Sequence, residues 1–437
     1  MNFEFSPLGQ LLRDKGYIRG PFGSALKRGE LKVSGVPVYE QQHAIDGTRT
    51  FRFFVDEDKY TELKRFAVKT NDLIISCSGT VGRVSVIQDA DPLGIISQAL
   101  LILRPNLDVL LPSFLYYFLI SEAGHNELLR ASHGAVQQNI APRDVVEKIG
   151  VPLPTLTLQA QIVSVLQSLD ARIVLLREQN ATLEAIAQAL FKSWFVDFDP
   201  VRAKQDGRPP EGMDEATAAL FPDGFEKSEL GVVPRGWRAA TLMESFEINP
   251  KRPLKKAIVA PYLDMASLST SGHCVDAPIQ REMGSGSKFR NGDTLLARIT
   301  PCLENGKSAF VDFLDDGQTG WGSTEFVVLR PKAPLPEYFG YLLCRDPVFR
   351  EFAIQSMSGT SGRQRIQNDV LGRYALAVPN EKVATAFASV VEAIQTGITA
   401  NHGAAQTLVT LRDTLLPRLI SGQLRLPEVA DLMRHAA

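Results

Sequence analysis

The sequence has few cysteines, no excess of one charge and no recognisable targeting segment. Its cysteines are widely scattered without a C-x-x-C pair, which argues against a disulfide framework or a cysteine zinc site. Basic and acidic residues number 47 and 49, so the strongly basic composition of many nucleic-acid-binding proteins is absent. The N-terminus lacks the pattern of a secretory signal, and we find no apolar run of about 20 residues, the length of a membrane span. We therefore expect a cytoplasmic protein that does not enter a membrane.

Catalytic motifs are also missing. The glycine-rich residues 317–324, GQTGWGST, lack the lysine of a phosphate-binding P-loop. A helical His-Glu-x-x-His pair, a G-x-S-x-G elbow and a dinucleotide-binding G-x-G-x-x-G are not found. Nor is the Asn-Pro-Pro-aromatic tetrapeptide that amino-methyltransferases use. Asp197 and Asp199 are close together at the end of a helical stretch, where solvated carboxylates are the simpler interpretation. We therefore expect a non-catalytic chain without a cofactor or metal.

What the sequence does contain is a long stretch free of glycine and proline, from Leu156 to about Phe198. Its apolar residues alternate in steps of four and three, which is the spacing of a coiled-coil seam. The residues in this seam are Ile162, Leu166, Leu169, Ile173, Leu176, Asn180, Leu183, Ala187, Leu190 and Trp194. Asn180 is the single polar member, and a lone asparagine in such a seam typically sets the register of a helix pair. An ordinary amphipathic surface helix is the alternative.

A second stretch near the C-terminus repeats this spacing. Its seam consists of Phe387, Val391, Ile394, Ile398, Asn401, Ala405, Leu408, Arg412, Leu415 and Leu419. Asn401 follows Ile394 by seven residues (401 − 394 = 7), as Asn180 follows Ile173 (180 − 173 = 7). We therefore predict that the two helices pair antiparallel within the chain, with the amides of Asn180 and Asn401 meeting across the seam.

The region before each long helix is the same unit written twice. Arg104 in a Leu-Arg-Pro sequence matches Arg330 (330 − 104 = 226), and Ile140 matches Ile366 (366 − 140 = 226). Similar offsets relate strand-like segments, a helical segment after Pro112 and the Val-Pro before each long helix. Predicted strands in the first copy are residues 51–55, 73–76, 84–87 and 99–103. Such a duplication predicts a molecule with approximate two-fold symmetry.

These patterns predict an α+β fold class with two tandem α/β domains, separated by a pair of long antiparallel coiled-coil helices with pseudo-two-fold symmetry. The first domain is predicted over residues 1–154 and the first long helix over 155–200. A linker with one short helix near residues 214–220 is predicted over 201–236, the second domain over 237–379, the second long helix over 380–425 and a tail over 426–437.

Two loops, at matching places in the two copies, carry side chains that can recognise DNA bases. Amide and guanidinium groups, which bond to adenine and guanine in the major groove, cluster between the docking helix and the Val-Pro. The candidate residues are Gln137, Gln138 and Asn139 in the first copy and Arg363, Gln364, Arg365 and Gln367 in the second. A polar surface loop without a ligand is the alternative.

Glycine-rich turns provide candidates for DNA phosphate contacts through backbone amides and nearby polar side chains. They are residues 19–29, 76–84 and 297–307, and tight turns between strands are the alternative. The candidate side chains are Ser24, Lys27, Thr80, Arg83, Arg298 and Lys307.

Taken together, these segments resemble the specificity subunit of Type I restriction-modification systems. The resemblance rests on five segments that span nearly the whole chain. They are GPFGS (20–24), VPLPTLTLQAQIV (151–163), ALFKSWFVDFDPVRAK (189–204), FPDGFEKSELGVVPRGW (221–237) and LRDTLLPRLISGQL (411–424). The second long helix departs from the pattern, because VPNEKVATAFASVV (378–391) lacks the Pro-Leu-x-x-Gln form seen before the first.

The resemblance implies a non-catalytic subunit with two target recognition domains, each reading one half of a bipartite, asymmetric sequence in double-stranded DNA. The long helices would dock methyltransferase subunits, two per chain. Those subunits would bind S-adenosylmethionine, and restriction subunits would supply ATP- and Mg-dependent translocation and cleavage. Three alternatives remain: the specificity subunit of a methylation-only system, a protein-binding coiled-coil scaffold, and a methyltransferase that binds S-adenosylmethionine by itself.

Overall fold

The computed structural model describes residues 3–22, 26–130, 139–140, 142–229, 231–275, 278–360 and 362–426. The chain divides into two compact units, unit 1 with Met1–Ile173 and Thr407–Ala437, and unit 2 with Val174–Gln406. Each unit combines sheets with helices, which confirms the predicted α+β class. The division falls inside both long helices and not at the predicted domain limits, because the helix segments of each unit pack into that unit's own hydrophobic core.

The described residues of unit 1 form three sheets. The four-stranded sheet is antiparallel, in the order Leu12–Arg19, Leu100–Pro105, Leu73–Ser76 and Val84–Val86. A three-stranded sheet has the order Phe54–Val55, Val36–Tyr39 and Ile95–Ile96, with the last two strands parallel. Phe5–Pro7 pairs with Gly150–Pro152. The α-helices outside the long pair are Leu8–Leu11, Gln41–Ile45, Glu57–Glu62, Pro112–Ile120, Glu122–Arg130 and Arg143–Val146.

The helical segment after Pro112, predicted as one helix, is two. The helices Pro112–Ile120 and Glu122–Arg130 are separated by Ser121, whose backbone is extended at φ −65° and ψ 155°. Ser121 caps the second helix, because its carbonyl accepts from the His125 N–H at 2.8 Å and its hydroxyl from the Gly124 N–H at 3.3 Å. Gly124 lies against the Phe118 carbonyl, where a Cβ would come within 2.0 Å. The sequence prediction missed this break because it depends on backbone hydrogen bonds and on the close packing of Gly124 against Phe118.

Unit 2 repeats this arrangement of sheets. Its antiparallel four-stranded sheet has the order Phe246–Ile248, Phe326–Pro331, Thr294–Ala297 and Ser308–Phe310. The second sheet has the order Ile279–Glu282, Val259–Leu263, Gly320–Gly322 and Ser287–Phe289, with the middle pair parallel. Arg238–Thr241 pairs with Ala375–Val378. Outside the long helices and the connector between the two copies, its α-helices are Leu242–Ser245, Phe339–Arg345, Pro347–Gln355 and Asn368–Leu371.

Matching contacts in the two units confirm the predicted repeat. Asp72 is fully buried, and two nitrogens of Arg104 donate to its two oxygens at 2.7 Å. At the equivalent place Arg330 donates to the fully buried Asp293 at 2.7 Å. Asp293 also accepts from Arg252 at 2.6 Å, so unit 2 has a second cation where unit 1 has one.

The residues that connect each docking helix to a long helix are also repeated. In unit 1 the Tyr117 hydroxyl donates to Asp170 at 2.6 Å, and in unit 2 the equivalent Tyr341 donates to Glu184 at 2.6 Å. Both carboxylates lie on the first long helix. Because these tyrosines are largely buried and bonded to carboxylates, their pKa values are raised.

The first long helix is Leu156–Phe191, continued by a π-helical turn at Lys192–Val196, and Phe198 follows with a left-handed backbone at φ +57°. The second is Glu381–Ile420, with the Val383 N–H donating to the side chain of Asn380 at 3.0 Å. The connector carries the helices Asp199–Gln205 and Glu215–Ala219, the latter as predicted, and a hairpin of Phe225–Ser228 with Gly231–Pro234.

The predicted pairing of the long helices within the chain is confirmed inside each unit. In unit 1, Arg412 donates to Asp170 at 2.8 Å. In unit 2, Asn180 donates to the Ile398 carbonyl, and further along the helix the rings of Trp194 and Phe387 are 5.5 Å apart. Residue numbers rise on one helix as they fall on the other, so the pair is antiparallel. Buried seam residues are Ile162, Leu166, Leu169, Ile173, Leu176, Ala187, Trp194, Phe387, Val391, Ile398, Ala405, Leu415 and Leu419.

The predicted amide contact between Asn180 and Asn401 is wrong. The Asn180 Nδ2 donates to the backbone carbonyl of Ile398 at 3.0 Å, and its buried Oδ1 accepts from no residue that the structure describes. Ile398 precedes Asn401 by three residues, almost one helical turn, so the two amides lie in different layers of the seam.

The second long helix departs from one further expectation. Among the described residues it alone is long and apolar enough to cross a membrane on length and composition, with a mean hydropathy of 1.3 in its most apolar window. Core helices of soluble proteins meet the same criteria. Val383, Phe387 and Leu419 of this helix are buried in the hydrophobic cores of their units.

Candidate nucleic-acid interface

In unit 1 the structure brings together two loops that are about 60 residues apart in the sequence. The Ile140 N–H donates to the Cys77 carbonyl at 2.9 Å, and Asn139 pairs with Ser78 in an isolated antiparallel bridge. Ile140 is buried, so it anchors the end of the loop that contains the predicted base-reading residues. Gln137 and Gln138 of that loop lie outside the described residues, and Ser24 does as well.

The turn that follows the strand Leu73–Ser76 is shaped by its own hydrogen bonds. The Ser76 hydroxyl donates to the Thr80 carbonyl and accepts from the Arg83 N–H at 2.9 Å. Gly79 and Gly82 have φ values of +69° and +81°, which residues with a side chain rarely adopt. The side chains of Thr80 and Arg83 are consequently exposed, as phosphate contacts require. Lys27, the remaining candidate of unit 1, is also exposed.

Unit 2 contains the same pair of loops. The Ile366 N–H donates to the Arg298 carbonyl at 3.0 Å, at the place where Ile140 bonds to Cys77 in unit 1. Thr300 and Gln364 are joined by two hydrogen bonds, from the Thr300 N–H to the Gln364 carbonyl at 3.1 Å and from the Gln364 N–H to the Thr300 hydroxyl at 3.2 Å. The predicted equivalence of the loops is therefore confirmed.

Some candidate side chains of unit 2 are exposed, whereas others already form hydrogen bonds within the protein. Arg363 and Gln367 are exposed. Arg365 instead holds Glu325 through several hydrogen bonds of 2.6 to 3.0 Å, and this pairing keeps the pKa of the Glu325 carboxyl below its usual value. Arg298 donates to the Ile366 carbonyl at 2.8 Å and to the Gln367 side chain at 3.3 Å.

Lys307 and Glu325 also bear on which side chains of unit 2 are available to contact DNA. The Lys307 ammonium donates to the Met265 carbonyl at 2.7 Å, which ties it to its own unit. Glu325 was missed by the sequence reasoning. No local pattern marks it, because its partner Arg365 lies 40 residues away.

No three His, Cys, Asp or Glu side chains in the described part of the chain are placed to hold a metal ion together.

Comparisons with known proteins agree with this geometry. Residues 25–185 match the family model described as Type I restriction modification DNA specificity domain. The specificity subunit of the Type I restriction enzyme HindI from Haemophilus influenzae is 24% identical, over 76% of this chain and 81% of that protein. The MjaIX specificity subunit of Methanocaldococcus jannaschii is 24% identical, over 74% of this chain and 71% of its own length. Over most of its length the chain is therefore similar to the specificity subunits of Type I restriction enzymes.

The fold of the chain has a counterpart among solved structures. The crystal structure of a Type I restriction-modification S subunit from M. genitalium matches 96% of this chain and 96% of that one, with a TM-score of 0.54 and 15% identity. The similarity therefore lies in the fold. The family-model match contains the turn at 76–83 and residues 139–140, which form the candidate site of unit 1.

Proposed function

We propose that the chain is the DNA specificity subunit of a Type I restriction-modification complex in which each unit reads one half of a bipartite target. The observation that carries this proposal is the doubled loop pair, held by the hydrogen bond from Ile140 to Cys77 in unit 1 and from Ile366 to Arg298 in unit 2. Two similar scaffolds that present different side chains suit a target with two different halves.

The side chains at the two loops support an asymmetric target. The sequence of the unit 1 loop contains the amides Gln137, Gln138 and Asn139, and amides favour adenine. Unit 2 presents Arg363 in an exposed position, and arginine favours guanine. The two half-sites should therefore differ in base composition.

Catalysis and energy supply belong to partner subunits in this proposal. The long helices dock two methyltransferase subunits, which bind S-adenosylmethionine, and restriction subunits use ATP and Mg²⁺. The complex acts in the cytoplasm on double-stranded DNA. Because phosphate contacts supply much of the affinity of such complexes, and this chain carries a net charge of −2, the isolated chain should bind DNA weakly and with a strong salt dependence.

The test is to sequence methylated adenines in the host with the gene present, deleted and restored. We expect one bipartite motif to lose methylation on deletion and to regain it on restoration. The neighbouring gene should encode a methyltransferase with an Asn-Pro-Pro-aromatic motif, and its product should co-purify with this chain. An unchanged set of methylated adenines would refute the proposal, and binding of S-adenosylmethionine by the purified chain alone would favour a methyltransferase instead.

A further inference from the structure

A basic segment of unit 2 lies outside the loops described above. Residues 249–257, NPKRPLKKA, follow the strand Phe246–Ile248. Lys251, Lys255 and Lys256 are exposed, and no acidic residue in the described ranges forms an ion pair with any of them. Three exposed, unpaired ammonium groups within six residues make a concentrated positive patch in a chain whose net charge is −2.

The base of this segment is held in place by the main sheet. At its start, the Asn249 N–H donates to the Val328 carbonyl at 2.7 Å, and the Asn249 Oδ1 accepts from the Val328 N–H at 2.9 Å. Asn249 has a φ of +52°, a conformation that these bonds help to maintain. Further along, Arg252 donates to the buried Asp293 at 2.6 Å and 3.1 Å. One cation of the segment is thus used as an anchor, and the three lysines point to solvent.

A cleft of about 620 Å³ lies beside the segment, and Lys251 and Thr324 are among the residues that line it. Lys288 also lines the cleft, but its ammonium donates to the Leu254 carbonyl at 2.7 Å and so helps to hold the segment. Ammonium and hydroxyl groups are the side chains that contact phosphate oxygens in protein–DNA complexes. Thr324 is followed by Glu325, which holds Arg365 of the base-reading loop. The cleft and the base-reading loop therefore adjoin the same short segment of unit 2.

The corresponding segment of unit 1 is also basic. Residues 20–29 in unit 1 and 249–257 in unit 2 both follow the first strand of the four-stranded sheet. Both precede the strand that takes part in the parallel pair of the second sheet. The unit 1 segment carries Lys27 and Arg28, which are both exposed. A basic segment therefore occurs at the same topological position in both copies.

We propose that residues 249–257 bind the DNA phosphate backbone beside the half-site read by unit 2, through Lys251, Lys255 and Lys256. This inference rests on the proposed function. Phosphate contacts fix the position of a protein on the duplex and carry no base information, so these lysines should set affinity and not the sequence recognised.

The experiment compares the double variant Lys255→Gln/Lys256→Gln with the control Lys227→Gln/Lys382→Gln, in the full chain with its methyltransferase partner. The control removes the same charge from exposed lysines of unit 2 that lie outside the segment. Binding to a duplex with the methylated motif and to a scrambled duplex is measured by fluorescence anisotropy between 50 and 200 mM salt. The slope of log K against log salt is negative, and each lost phosphate contact reduces its magnitude by about 0.9. The factor by which the affinity falls between 50 and 200 mM salt should therefore be about 3.5 times smaller for each lysine replaced, or about 12 times smaller for both.

We expect this reduced salt dependence on both duplexes for the Lys255/Lys256 variant only, with the methylated motif unchanged. A salt slope equal to that of the control would overturn the inference while leaving the proposed function intact. A change in the methylated motif would also overturn it, because the lysines would then read bases. Wild-type protein that binds neither duplex and directs no methylation would refute the proposed function, and the inference with it.

Discussion

Replacing Arg363 with alanine should relax recognition at a single base position in one half-site. Arg363 is exposed on the unit 2 loop, and no residue in the described part of the chain accepts a hydrogen bond from its guanidinium. A good arginine–guanine pair contributes about 1 to 3 kcal/mol of discrimination against the wrong base. At about 1.4 kcal/mol per factor of ten, the preference at that position should fall by roughly 5- to 140-fold.

Arg365→Ala should have a different effect, because the structure gives Arg365 a different role. It bonds to Glu325 and its backbone pairs with Ile299 and Ser358, so it orders the loop on the edge of the sheet. The side chains of Arg365 and Glu325 remain 39% and 24% exposed, so losing the pair should change the free energy of unfolding by only about 0 to 1 kcal/mol. Recognition should nevertheless weaken over the whole half-site, and Glu325→Gln should reproduce part of that loss.

The assay is the sequencing of methylated adenines in cells that carry each variant in place of the wild-type gene. Arg373→Ala is a suitable control, because Arg373 is exposed in the same unit and pairs only loosely with Asp369 at 3.7 Å. The half-site read by unit 1 should be unchanged in every variant. If Arg363→Ala retained the full wild-type motif at wild-type efficiency, the assignment of this loop as the reader would be wrong.

Two further predictions concern stability. Asn180→Leu should raise the free energy of unfolding by about 1 kcal/mol, because it removes a buried Oδ1 that accepts no hydrogen bond within the described residues; a lower denaturation midpoint would contradict this. Arg104→Ala should lower the free energy of unfolding, measured in urea, by about 3 to 5 kcal/mol, because it leaves the buried Asp72 carboxylate without its cation. Arg330→Ala should lower the free energy of unfolding by less than Arg104→Ala does, because Arg252 remains paired with the Asp293 carboxylate. Equal losses of unfolding free energy in the two variants would refute that reasoning.

Much of the fold could be predicted from the sequence because it depends on local spacing. The steps of four and three place Leu166 and Leu169 on one helix face, and both are buried in the structure. The repeat could be recognised because matching residues such as Arg104 and Arg330 occur at a nearly constant offset. The absence of catalytic motifs and the resemblance to specificity subunits could also be read along the chain.

Tertiary packing alone decided which side chains of the candidate site are available. Arg363 and Arg365 have the same chemistry and lie two residues apart, yet only Arg365 is bonded to Glu325, 40 residues away. Asn180 bonds to the carbonyl of Ile398, 218 residues away, and not to the amide predicted from the heptad count. Heptad spacing determines which face of a helix is buried, but the axial offset between two helices depends on side-chain packing along both of them, which no single stretch of sequence contains.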